Sequence, residues 1–417
     1  MNIAYSFTSG MGHLKYLIPF MSESVSRGHK VTIFCSDDPK YKKELENEGL
    51  HGINVVGIDL GENSFPGVFE IVNAGGPLGL TSSGLFEPMM SYYNREENDL
   101  PNIIVADFFA TAAIDVADSL DVPAIVTFPN PLSMLGLPPP KERKFRDKAV
   151  YCLSTYLGEP SLRGLIRYFR NKERKRRKLP KLPEQDVYPC AKQTRHMIST
   201  TGLGLEYDIE RSELLHFVGP SPPKNPQPIS NELNEWIEKQ TKPIIYVSFG
   251  SFFELDKKAI NHLVTELLSV SDKISILWSL PADQQTRIDP SFEIPDSLRF
   301  ESWVPQWSIL AHAKVVAFVT HNGSNSTYES ILNCVPMICC PRGADQFANA
   351  ARVKAAGIGE VVKKGAHGPL GKTIEDVVND LGRYKDASKK VKELLTNQGG
   401  AAKSVDLMEM VASEKKS

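Results

Sequence analysis

Two places in the chain combine residue types and spacings that suit chemistry. The first is Thr8-Ser9-Gly10-Met11-Gly12-His13-Leu14-Lys15-Tyr16-Leu17-Ile18-Pro19, which follows a strand-like run at 2–7 and opens a segment of helical period. A histidine at a helix N-terminus feels the positive end of the dipole, which disfavours imidazolium and keeps the ring available as a base. A carboxylate behind such a histidine holds its tautomer and stabilises the cation formed as a proton arrives. The candidate is Asp107, which closes the apolar run Ile103-Ile104-Val105-Ala106 and so stands at the carboxyl edge of a sheet. Residue types alone leave other roles open. His13 also suits a helix-capping surface residue, and Asp107 an N-cap for a helix near Thr111. A dinucleotide fingerprint fits poorly, because its third glycine would fall at Lys15 and no acidic residue ends the second strand at Cys35.

The second place runs from Trp303 to Gln346. A strand-like run at 315–320 meets the turn His321-Asn322-Gly323 and then helical spacing at 324–333. Strand, glycine turn and helix N-terminus gather unpaired N–H groups and a positive dipole end, a site suited to phosphate. The stretch resembles the C-terminal signature of the UDP-glycosyltransferases, nucleotide-sugar-dependent enzymes that glycosylate small lipophilic acceptors. It follows the 44-residue plant form of that signature without a gap.

The resemblance implies a role for each residue type. Trp303 would stack on uracil, with Val304 beside it, and Gln306 would read the base or ribose edge. Glu329 would accept two hydrogen bonds from the ribose diol, which favours a ribonucleotide; Ser326-x-x-Glu329 also spells a capping box. His321, the amides around Gly323, and Ser326 would hold the diphosphate with Asn325 nearby. The Gly250-Ser251 turn would add a phosphate contact. Asp345 and Gln346 would bond the sugar hydroxyls, and a closing Gln leans towards glucose. In the first half Gly12, His13 and Pro19 fit the family pattern more loosely, and the resemblance makes His13 and Asp107 the catalytic pair. Two positions depart from the plant form: Ser324 stands where Trp is common and Asn322 where glycine is frequent.

The elements that must position these residues follow from pattern and length. At 417 residues the chain suits two domains. Strand-like runs at 2–7, 30–35, 54–58, 103–107 and 124–128 alternate with helical stretches such as 14–26 and 110–120. The proline cluster at 219–228 makes a stiff connector. After it come strands at 244–248, 274–278, 315–320 and 337–340, with helices at 256–269, 324–333 and 348–356. The expected class is α/β of the GT-B type, two Rossmann-like doubly wound domains facing a central cleft. The expected division is an acceptor-binding domain at 1–218, the linker at 219–228, a UDP-sugar-binding domain at 229–400, and a last helical segment at 401–417 that crosses back to the first domain.

Composition narrows the rest. A net charge of −2 gives no footprint for nucleic acid. No run approaches a membrane span, and the first apolar run is too short for a signal peptide. Asn322-Gly323-Ser324 and Asn325-Ser326-Thr327 are glycosylation sequons on the proposed phosphate loop, so a cytoplasmic location is expected. Six cysteines include no C-x-x-C pair, no D-x-D occurs, and no metal is expected. His312 reads as structural. Residues 170–181 hold eight basic residues and one acidic, read as a solvated helix ending before Pro180. Phe65, Phe69, Phe86, Tyr92, Phe108, Phe109, Met134 and Leu135 suggest an apolar acceptor pocket. The expected function is an inverting UDP-sugar-dependent transferase, with a UDP-sugar such as UDP-glucose as co-substrate and a phenol, terpenoid or sterol hydroxyl as acceptor. The alternatives are an inactive nucleotide-sugar sensor and a lipid-carrier glycosyltransferase.

Overall fold

The computed structural model describes residues 1–7, 10–59, 83–129, 171–181, 195–206, 212–250, 254–343 and 345–414. In the first half, strands β1 (Asn2–Ser6), β2 (Lys30–Ser36), β3 (Asn54–Ile58), β4 (Ile103–Asp107), β5 (Ala124–Phe128), β6 (Met197–Ser199) and β7 (Leu215–Phe217) form one sheet. Its order is β3-β2-β1-β4-β5-β6-β7 and every pairing is parallel. All five residues of β4 are buried, which is why it reads as a continuous apolar run and not as an alternation. Helices α1 (Met11–Ser26), α2 (Pro39–Asn47), α3 (Phe86–Tyr93) and α4 (Thr111–Leu120) connect or flank these strands.

The second half repeats the plan. Strands β8 (Ile244–Ser248), β9 (Ser275–Ser279), β10 (Leu298–Glu301), β11 (Val315–Thr320), β12 (Met337–Cys339) and β13 (Gly359–Val361) form a parallel sheet in the order β10-β9-β8-β11-β12-β13. Each sheet reverses direction of growth beside its first strand, between β1 and β4 and between β8 and β11. In open parallel sheets the crevice outside the strand ends at such a point is where ligands bind. His13 and Asp107 follow β1 and close β4; Gly250 and His321 follow β8 and β11. Both candidate sites thus stand at switch points.

The last helix, Gly400–Glu414, packs on α1. Val405, Leu407 and Met408 share a core with Tyr5, Leu14 and Leu17. Arg27 reaches Asp406 at 2.8 Å and His29 reaches Glu409 at 2.8 Å, so polar pairs fix the rim of the same contact.

Four strands escape the sequence pattern: β6, β7, β10 and β13 have three or four residues each, too short to show a period. The basic run also differs from expectation. Among the described residues its helix covers 171–176, and Lys178 in the left-handed region (φ 59°) turns the chain away before Pro180. Nor is it simply solvated. Arg174 is 2% exposed and pairs with Asp115 at 2.5 Å and Asp118 at 2.9 Å, while Arg177 meets Asp115 at 2.6 Å. Interleaved with the exposed Lys172, Lys175 and Arg176, these arginines bolt the segment to α4.

Candidate active site

His13 is the third residue of α1, whose N-cap is Gly10, so it does not cap the helix. Its Nδ1 lies 3.0 Å from Asp107 Oδ2, and its side chain is 18% exposed. Asp107 is fully buried. Nor does Asp107 cap α4, whose N-cap is Ala110. Instead its carboxylate gathers three donors: His13 Nδ1, the Phe109 N–H at 2.9 Å on Oδ1, and the Tyr16 hydroxyl at 2.6 Å on Oδ2. A carboxylate accepts only, so the imidazole proton sits on Nδ1 and Nε2 carries the lone pair. Burial lowers the His13 pKa, but the charge and hydrogen bond of Asp107, with Asp345 adding, outweigh it and raise the imidazole above its ordinary value. The Phe109 ring stands edge-on to the imidazole at 5.1 Å.

At the other switch point the ring of His321 fills the gap between two glycines. A Cβ at Gly250 would come within 2.7 Å of the ring, and one at Gly323 within 2.6 Å. Asn322 takes the left-handed conformation, φ 64°, which accounts for glycine being usable there, and its N–H is held by Thr320 Oγ1 at 3.1 Å. Burial pushes His321 down to about 4, with Ser248 offsetting this in part and the Arg342 charge adding to it. At neutral pH its imidazole is therefore an uncharged hydrogen-bonding group.

The next helix, Ser324–Leu332, has Gly323 as N-cap and no capping side chain from its own sequence. Ser326 lies inside it, so the capping-box role for Ser326 and Glu329 is not realised. Both are instead bridged by Gln306, whose Nε2 donates to Ser326 Oγ at 3.1 Å and Glu329 Oε2 at 2.5 Å while Tyr246 donates to its Oε1 at 3.3 Å. Trp303 is 60% exposed, which sets aside ordinary core packing, whereas Val304 is buried. Asp345 and Gln346 are partly engaged within the protein. Asp345 Oδ2 accepts from the Ser324 N–H at 3.2 Å, the Ser324 hydroxyl at 2.9 Å and Asn349 at 2.9 Å. Gln346 Oε1 accepts from the Arg342 and Gly343 amides at 2.8 and 3.2 Å.

The two places meet. Asn325 Nδ2 donates to the Gly12 carbonyl at 3.0 Å, and the Tyr328 hydroxyl to the Pro129 carbonyl at 2.8 Å. Two helix N-termini therefore converge on one cleft. Beside them a space open to solvent is lined by Lys15, Glu44 and Glu48 on one side and Trp303, Gln306 and Glu329 on the other. Burial first, then Glu44, pushes the Glu48 carboxyl up to about 7.

Ser251, Phe65, Phe69, Met134 and Leu135 lie outside the described residues. Of the other aromatic residues expected around an acceptor, Phe109 touches His13, and Phe108 packs on Phe128 with ring centroids 4.7 Å apart. Phe86 is core and Tyr92 bonds Asn54. His312 pairs with Glu238 at 3.2 Å, away from the cleft. Among the described residues no group of three or more His, Cys, Asp or Glu could hold a metal ion, and no helix is long and apolar enough to cross a membrane. Tyr16 is the site residue that sequence reasoning passed over; its position three residues after His13, on the same helix face, is the signal that points to it.

Two doubly wound parallel sheets with a cleft at their switch points define the GT-B architecture. The solved glycotransferase of kitacinnamycin has that fold, with a TM-score of 0.74 and 19% identity over 99% of both chains. Residues 184–398, more than half the chain, match the model of the UDP-glucoronosyl and UDP-glucosyl transferase family, and the chain belongs to that family. Similar proteins include a UDP-glycosyltransferase of Talaromyces amestolkiae, 26% identical over 62% of this chain and 54% of that protein. The UDP-glycosyltransferase stmC of Aspergillus ustus is 25% identical over 68% of this chain and 58% of its own. The chain thus spans little more than half the length of these relatives.

Proposed function

We propose that the protein is an inverting glycosyltransferase that moves a hexose, glucose first among the candidates, from a UDP-sugar to a hydroxyl of a small lipophilic acceptor. The observation that carries this reading is the His13–Asp107 pair, 3.0 Å apart with its carboxylate buried, opposite a glycine turn and helix N-terminus in one cleft. Family membership supports the UDP-sugar.

In this mechanism Nε2 of His13 takes the proton of the acceptor hydroxyl while Asp107 holds the growing imidazolium. The oxygen attacks the anomeric carbon from the face opposite UDP. The bond from that carbon to the diphosphate oxygen breaks, and an α-linked donor gives a β-glycoside. Charge gathering on the departing diphosphate is met by the amide at Gly323, the dipole of the helix behind it and the Ser326 hydroxyl, while neutral His321 supplies a hydrogen bond. Trp303 stacks on the base with Val304 behind it. Gln306 and Glu329, already bridged, take the ribose diol. Asp345 and Gln346 face the sugar. The Phe109 edge beside His13 fits an apolar acceptor. On this reading residues 1–218 carry the acceptor, residues 229–400 the donor, and the prolines at 219–228 join them.

Mass spectrometry of UDP-glucose incubated with phenols, terpenoid alcohols and sterols tests the assignment, with proton NMR of the product. A hexose added to one acceptor class with β configuration is the expected result. An α-glycoside product would overturn the inverting mechanism. No transfer from any UDP-sugar, despite UDP binding, would overturn the enzyme reading in favour of a sensor.

A further inference from the structure

The reacting pair does not stand alone. Asp107 Oδ2 accepts two hydrogen bonds, from His13 at 3.0 Å and from the Tyr16 hydroxyl at 2.6 Å. The same Tyr16 oxygen lies 2.8 Å from Thr127 Oγ1. Tyr16 has one proton and gives it to the carboxylate, so towards Thr127 it accepts. The hydrogen bonds therefore run in one direction, Thr127 to Tyr16 to Asp107, and meet the His13 bond on one oxygen. Burial, with the Asp107 charge, raises the Tyr16 pKa well above the ordinary phenol value, so the proton stays on Tyr16 throughout the working pH range. Tyr16 and Asp107 are both buried, so water is a poor substitute for any partner lost from this chain.

We propose that Tyr16 is a positioning residue of the dyad: by occupying the carboxylate oxygen that His13 also uses, its hydroxyl sets how strongly Asp107 holds the imidazole. Two donors share the electron density of one oxygen, so each weakens the other. The charged groups that act on His13 are the Asp107 carboxylate at the end of β4 and the Asp345 carboxylate before the helix Gln346–Ala355; on α1, Tyr16 bonds Asp107 and Lys15 is directed to Glu44 at 3.6 Å. With Tyr16 present, Asp107 stabilises the imidazolium enough to accept the proton in the transition state without trapping it in the resting enzyme, as a base operating near neutrality requires. This inference rests on His13 being the base, but its test does not.

The experiment is an NMR titration of the full chain with 13Cε1-labelled histidine, the His13 signal being assigned among the nine histidines by its loss in His13→Ala. Tyr16→Phe keeps the ring and removes the donor. The expected result is an upward shift of the His13 titration by about one unit, with the acid limb of kcat/KM moving by the same amount. Thr127→Val leaves Tyr16 in place but removes the group that polarises it, so a smaller shift in the same direction is expected. It also serves as the test if Tyr16→Phe fails to fold. A His13 titration unchanged in both variants would overturn the proposal. Activity retained in His13→Ala would instead remove the base role, while a shifted titration in Tyr16→Phe would leave the coupling standing.

Discussion

Asp107→Asn gives the most exacting prediction. The two carboxylate oxygens have distinct partners: Oδ1 accepts the Phe109 amide, and Oδ2 accepts both His13 and Tyr16. An asparagine in this site must keep its carbonyl towards the Phe109 N–H, which cannot turn away without breaking the chain path after β4. Its NH2 then replaces Oδ2 and points a donor at His13 Nδ1. The imidazole answers by carrying its proton on Nε2, the nitrogen that must accept the acceptor's proton. Loss of the tautomer costs about 10⁴ in kcat where such a carboxylate has been removed from a triad. A dyad without a covalent step depends on the base less, and general-base contributions run at about 10²–10⁴. A fall of about 10³ in kcat is expected here. Tyr16 also loses its acceptor and turns to Thr127, which costs about 1–3 kcal/mol of stability and is visible in a denaturant titration. Donor binding should change little, because Asp107 is buried and does not line the space beside Trp303, Gln306 and Glu329. Steady-state kinetics beside calorimetry with UDP read both quantities. Activity within tenfold of the parent, in a folded variant that binds UDP normally, would refute the reasoning.

Other expectations are simpler. Trp303→Ala removes a ring that is 60% exposed, so stability should hold while UDP binding weakens by about 1–3 kcal/mol, read by calorimetry and thermal melting together. Arg174→Ala removes one of two arginines from Asp115 and from Asp118, which keep Arg177 and Arg195; unfolding in urea should show a loss of about 1–3 kcal/mol with little change in KM for the donor. The raised pKa of His13 places the acid limb of kcat/KM above pH 6.5, since the base works only when unprotonated. The linked stability runs the opposite way: the gain from protonated His13 beside Asp107 is full below pH 6.5 and is lost as pH rises through the raised folded value. A stability–pH series on the parent and His13→Ala checks the sign, and a limb below pH 6.5 would contradict it.

The signal in the sequence was strongest where chemistry and local structure coincide. Asp107 stood out because an acidic residue ending four apolar ones has few structural reasons to be there, and the fold puts it against His13, 94 positions away in sequence. The Trp303–Gln346 stretch was legible because strand, turn and helix are contiguous and each leaves a local mark. Tyr16 left only its spacing from His13: its partners Asp107 and Thr127 lie on β4 and β5, far away in sequence, and its immediate neighbours do not announce a hydroxyl in use. The same holds for the buried pair of Glu206 and Arg352, 146 positions apart, whose guanidinium Nε donates at 2.6 Å. Edge strands such as β13 derive their existence from the neighbour they pair with and not from their own three residues. The basic run misled because charge count predicts solvation, whereas its burial depends on Asp115 and Asp118 waiting on α4.

The central claim is that His13 removes the acceptor's proton at a site where UDP-sugar binds independently of it. The direct measurement pairs calorimetric binding of UDP with product formation from UDP-glucose, in the parent protein and in His13→Ala, using the acceptor found by the panel. UDP binding of equal strength with glycoside formed only by the parent is the predicted result. Glycoside formed at the parent rate by His13→Ala would contradict it.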